Sequence, residues 1–175
     1  MSKTIESVET NPLRILQVGT CPSLSNKSEL QYHIGSNEQK ELFLRIAKNS
    51  GGGLFSHEFV SFTAIHQMLS KIDPEATITS ILLNPILRGR STNTAGFIMA
   101  VLLAKGVVVS KGKRSMQKGD PEGFVQAMQA LIDAGTDLQV EEPGKAKAKD
   151  SKAEPPSAKA KAANTKKTAA SSNPA

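Results

Sequence analysis

The sequence predicts an α+β fold: one small domain with an antiparallel hairpin and about three helices, followed by a disordered Lys/Ala-rich tail. Three observations carry this. Two period-two apolar runs, ELQYHIG and ELFLRIAK, flank a polar loop; helix-period stripes lie further along; and the charge pattern of the last 33 residues is unlike the rest. The boundaries fall at a flexible N-terminus (1–12), a globular domain (13–142) and a basic tail (143–175).

Leu13 to Val18, LRILQV, reads as a first strand ahead of the turn-rich GTCPSLSN. In the predicted hairpin Leu30, Tyr32 and Ile34 share one face, with Gln31 and His33 on the other. Leu42, Leu44 and Ile46 share a face of the second strand, opposite Phe43, Arg45 and Ala47, and Gly35, Ser36 and Asn37 supply the turn. The glycines Gly51 to Gly53 break that strand, and LFSHEFVSF resumes an extended pattern with Phe55 and Phe59 on one face and Val60 and Phe62 on the other. Thr63 is placed to cap a helix carrying Ile65, Met68, Leu69 and Ile72, ended by Asp73-Pro74. The β-branched TITSILL, 77–83, predicts another strand before Asn84-Pro85.

The next helix is expected from about Thr92 to Lys105, closed by Gly106. Its centre, FIMAVLLA, is apolar all round and belongs inside the domain. VVVS then predicts a short strand and KGKRSMQKG an exposed basic turn. The last helix has Asp120 as N-cap, Pro121 at its first position and Glu122 in its first turn. Its stripe is Phe124, Met128, Leu131 and Ile132, and Gly135 stops it. No internal repeat is visible.

Charge divides the chain. Residues 143–175 hold eight lysines (145, 147, 149, 152, 159, 161, 166 and 167) against Asp150 and Glu154, which accounts for the whole net charge of +6. Of 22 basic and 16 acidic residues, 14 of each remain in 1–142. The tail contains no aromatic, Leu, Ile, Val or Met residue, so it lacks the apolar surface to offset its ordering entropy. Such a tail either holds polyanions by displacing condensed counterions or serves as a solubilising spacer.

Cys21 is the only cysteine, which rules out an intramolecular disulfide and a CxxC metal site. A cytoplasmic setting follows most simply. The opening MSKTIESVET has no apolar core for a secretory signal. The longest apolar run, Phe97 to Ala104, is eight residues, far below the ~20 needed to span a bilayer, so no membrane partner is expected.

The most localised functional signal is LLNPILRGRSTNTAGF, 82–97. Arg88 and Arg90 precede Ser91 and Thr92 where a helix begins, and a helix N-terminus flanked by arginines suits an anion. Equally, Ser91 or Thr92 caps the helix and both arginines sit in solvent or pair with nearby acids. Gly51 to Gly53 lack the GxxxxGK[ST] and GxGxxG patterns and precede a predicted strand, which favours a flexible connection. His57 and His66 are nine apart where a zincin needs i and i+4, so no metal or other cofactor is expected. GxSxG is absent and nothing local activates Cys21, so an enzyme is not expected.

Two stretches resemble known proteins. The helix from 91 to 105 running through KGVVVSKGKR resembles the helix, strand and basic wing of a winged-helix DNA-binding domain. It implies phosphate contacts by Lys111, Lys113 and Arg114, although FIMAVLLA departs from the pattern by offering no polar face to base edges. NSGGGLFSHEFVSFTAI followed by ITSILLNPILRGRSTNTAGF is similar to uncharacterised accessory proteins of bacterial integrative elements and plasmids, over about residues 29–109, which implies a cytoplasmic protein working near DNA.

The expectation is therefore a non-enzymatic nucleic-acid-associated accessory protein, with DNA as the partner. The anion-binding residues would be Arg88, Arg90, Ser91, Thr92, Lys111, Lys113 and Arg114 in the body, and Lys145, Lys147, Lys149, Lys159, Lys161, Lys166 and Lys167 in the tail. The alternative is a protein-binding regulator or inhibitor of a bacterial partner. Six Phe, one Tyr and no Trp leave that reading few interface anchors.

Overall fold

The computed structural model describes residues 14–112 and 115–140. Their architecture is mixed α+β, with a four-stranded antiparallel sheet, a two-stranded sheet, three α-helices and one 3₁₀ segment. The large sheet has the order β1 (Arg14–Pro22), β2 (Glu29–Ser36), β3 (Leu42–Asn49), β4 (Val60–Ser61).

The hairpin forms as the alternation predicts: β2 and β3 pair antiparallel, with Ile34 opposite Leu44 and Tyr32 opposite Ile46. Leu30, Ile34, Leu44 and Ile46 are essentially inaccessible to water. The predicted polar face is covered as well. His33 and Arg45 face each other across the strands, both buried, and the Arg45 Nε donates to His33 Nδ1 at 3.3 Å while its guanidinium lies 4.5 Å over the Phe59 ring. Burial is tolerated because the charge is hydrogen-bonded and stacked on an aromatic face.

Four local expectations need correction. The first strand does not stop at Val18. Gly19 to Pro22, expected as turn, stay paired with β2 as far as Pro22–Glu29, because Gly19 lets the Tyr32 ring lie across its Cα; a Cβ there would come within 2.6 Å of Tyr32 Cζ. The stretch 54–62 is strand only at Val60–Ser61. Phe62 already begins helix α1 (Phe62–Ser70), capped by Ser61, whose Oγ accepts from Ala64 N, and not by Thr63. In the predicted 77–83 strand only Ile78 pairs, as a bridge to Met116. Ser80–Leu87 instead coil as a 3₁₀ segment that buries Leu83 and Leu87. Finally, the basic turn contains a strand: β5 (Val108–Gly112) pairs with β6 (Ser115–Lys118), and Met116 is buried in the core.

The two later helices match their sequence signals. Helix α2 (Thr92–Ala104) buries Thr94, Ala95, Ile98, Met99, Ala100, Val101 and Leu102, as an all-round apolar centre requires. It packs against β1, β3, the 3₁₀ segment and β5, so it is the hub of the core. Gly106, at φ +73°, lets the chain leave it. Helix α3 (Glu122–Asp133) buries Phe124, Met128 and Ile132. Asp120 accepts from Glu122 N at 2.9 Å in the expected capping role, although the residue at the helix boundary is Pro121. Gly135 (φ +72°) ends the helix, with Thr136 N donating to Leu131 O. The chain then returns to edge strand β1, where Asp137 Oδ1 accepts from Ile15 N and Leu138 N donates to Ile15 O at 2.7 Å. This return occupies exposed backbone groups that would otherwise invite a foreign strand. Among the described residues no helix is long and apolar enough to cross a membrane. The expected basic tail, 143–175, and residues 1–12 lie outside the described residues.

Candidate functional site at the start of helix α2

The 3₁₀ segment anchors the chain through Leu87, and Gly89 (φ +78°) redirects it into α2. Between them Arg88 is exposed and forms no hydrogen bond or ion pair with the described residues. Arg90 is less exposed, its Nε bonded to Glu58 Oε2. Of the two arginines, Arg90 is therefore already paired with an acid 32 residues away in the chain.

Neither Ser91 nor Thr92 caps the helix through its side chain. Ser91 Oγ donates to Leu54 O at 2.6 Å, and Asn93 Nδ2 donates to the same carbonyl at 3.0 Å. The buried Thr94 Oγ1 accepts from Ser56 N at 3.0 Å. The first turn of α2 is therefore spent on holding the 50–58 loop. The triple glycine belongs to that loop: Gly53, at φ +110°, approaches Asn93 so closely that a Cβ would lie 3.0 Å from its Nδ2. Asn49 braces the glycines from the other end, accepting from Gly51 N and donating to Gly52 O. What reads as a flexible connection in sequence is a hydrogen-bonded turn laid against a helix start. Thr92 itself is exposed.

Lys111 lies apart from this cluster. From β5 its Nζ donates to Glu75 O at 2.6 Å, and Lys118 on β6 reaches Ile72 O at 3.4 Å, so both brace the end of α1. Lys113, Arg114 and the tail lysines Lys145, Lys147, Lys149, Lys159, Lys161, Lys166 and Lys167 lie outside the described residues. Of the two histidines weighed as ligands, His57 Nδ1 sits 3.3 Å from Ile46 O and edge-on to Phe55, while His66 stacks on Phe62.

Sequence reasoning missed a groove on the outer side of α2. Two cavities, of about 320 and about 340 Å³, share Ser23 and Leu24 of the β1–β2 loop and run alongside the helix. The first is walled by Ser25, Ser80, Thr92 and Asn93 and floored by Gly96 and Phe97; the second reaches Ala100, Leu103 and the β5–β6 hairpin at Gly112 and Met116. A glycine inside an otherwise apolar helix was the signal that could have pointed to it. Close to the other end of the groove, Lys105 lies 5.3 Å over the Tyr32 ring and bonds Gln17 at 2.6 Å. The buried thiol of Cys21 is pushed up to about 11 by desolvation, with Lys105 opposing and Glu29 adding to the rise. A neutral thiol at physiological pH is a poor nucleophile.

No family model, curated protein or solved structure matches this chain.

Proposed function

We propose that the protein is a non-enzymatic nucleic-acid-associated accessory protein of the bacterial cytoplasm, in which a neutral α+β body shapes the contact and the lysine-rich tail adds sequence-independent affinity for phosphate. The observation that carries this reading is the separation of charge: 14 basic and 14 acidic residues in 1–142, and the entire +6 beyond them. Arg88, exposed and unengaged among the described residues, adds a cation on the body. Helix α2 is buried and Lys111 Nζ is taken by Glu75 O, so the winged-helix resemblance adds no recognition surface, and the weight of this reading rests on the tail and Arg88.

The test is binding of the full chain, and of the chain with its eight tail lysines changed to glutamine, to DNA and RNA over a salt series. Each lysine that neutralises a phosphate steepens log K against log salt by about 0.9, so the substituted chain is expected to lose up to about 7 from the slope on duplex DNA. Equal slopes remove the tail from the mechanism.

One observation favours a second reading, a protein-binding regulator. Ile81 is 70% exposed beside an apolar pit of about 400 Å³ lined by Met68, Ile72, Leu82 and Pro85, and Leu54 is 84% exposed. The aromatic patch that would have strengthened it does not form, because Phe62 is buried and Phe55 and Phe59 are engaged by Phe97 and Arg45.

A further inference from the structure

Gly96 occupies the middle of α2, where glycine weakens a helix relative to alanine. Nothing in the backbone demands it: its φ is not in the left-handed region, and a Cβ built on it would meet no atom within 4 Å. What the missing side chain does is leave the groove floor open beside Phe97. That ring is half-buried and held edge-on by Phe55 at 5.8 Å, so it presents a fixed apolar surface to the cavity.

The walls are chemically selective. Around Phe97 they carry hydroxyls and one amide, and among the described residues no Asp or Glu lines either cavity to repel a phosphate. Two cations stand close to the lining residues along the chain: Arg88 four residues before Thr92, and Lys27 next to Asn26. An aromatic surface, neutral donors and acceptors at its edge, and positive charge outside are the groups that hold an unpaired base with its phosphate. A paired base has both faces covered by its neighbours and cannot reach Phe97 without leaving the stack. The volume of about 320 Å³ falls in the range of small-ligand sites and is far too small for a duplex.

We propose that this groove binds unpaired nucleotides of single-stranded DNA or RNA, a base stacking on Phe97 between Asn93 and Ser80, with Arg88 and Lys27 on the flanking phosphates. The assignment rests on the nucleic-acid reading above and narrows it to single strands. The full chain is to be titrated by fluorescence anisotropy with labelled oligothymidylate, oligouridylate and a duplex of equal length at low ionic strength. Gly96→Leu, which fills the floor and suits a helix better than glycine, is expected to stay folded by circular dichroism and to lose about tenfold in single-strand affinity, leaving duplex affinity unchanged. The chain has no tryptophan, so Phe97→Trp supplies a single reporter, whose emission should fall on adding either oligonucleotide and stay constant with duplex or inorganic polyphosphate. Single-strand binding by Phe97→Trp without a change in emission, or full affinity in folded Gly96→Leu, overturns the groove and leaves the tail-based reading standing. Absence of binding to every nucleic acid overturns both.

Discussion

Thr94→Val isolates the attachment of the glycine loop to α2. Thr94 is 1% exposed, and its hydroxyl is the acceptor for the Ser56 amide at 3.0 Å. Valine keeps the shape and removes the acceptor, leaving a part-buried N–H unpaired, which costs about 1–3 kcal/mol. The added methyl recovers ~0.8 kcal/mol by burial. A net loss of about 1 kcal/mol follows, lowering the melting temperature by about 4 °C for a domain of this size. Thr94→Ser is the control: it keeps the acceptor and deletes a methyl, at a similar cost of ~0.5–1.5 kcal/mol. Global stability therefore does not separate the two, but amide exchange does. Only the valine variant should lose protection at Ser56, by roughly fivefold for 1 kcal/mol. Unchanged exchange at Ser56 in Thr94→Val would refute the claim that the first turn of α2 holds the loop.

Two other outcomes are expected. Because burial raises the Cys21 thiol from 9.0 to about 11, the folded state keeps its proton where the unfolded chain loses it; stability is complete below pH 9 and falls as pH rises towards 11, and Cys21→Ser should flatten a urea midpoint measured across that window. Gly19→Ala should cost about 1–3 kcal/mol in urea unfolding by forcing the Tyr32 ring off β1, whereas Gly52→Ala, with open space around it, should be close to neutral; equal midpoints would contradict the packing described for β1.

For three elements the local pattern by itself was sufficient. The β2–β3 alternation, the all-round apolar centre of α2 and the Asp120-to-Gly135 signals of α3 are each read from neighbours a few residues apart, and each element is there. The division of charge between body and tail is likewise a property of composition alone. Tertiary structure decided whatever depends on a distant partner. Gly19 to Pro22 are strand because Tyr32 packs across Gly19, and TITSILL is 3₁₀ beyond Ile78 in a segment that packs against α2 and buries Leu83 and Leu87. At the arginine pair, only the fold could show that Arg90 meets Glu58, 32 residues away, while Arg88 is left to solvent. The groove is the extreme case. Its walls come from the β1–β2 loop, the 3₁₀ segment and α2, and its floor is opened by a side chain that is missing, so Gly96 marks one point of it in the sequence but not the segments that close around it. Short-range order follows from backbone preference and periodicity, whereas a site requires that distant segments close around the same volume.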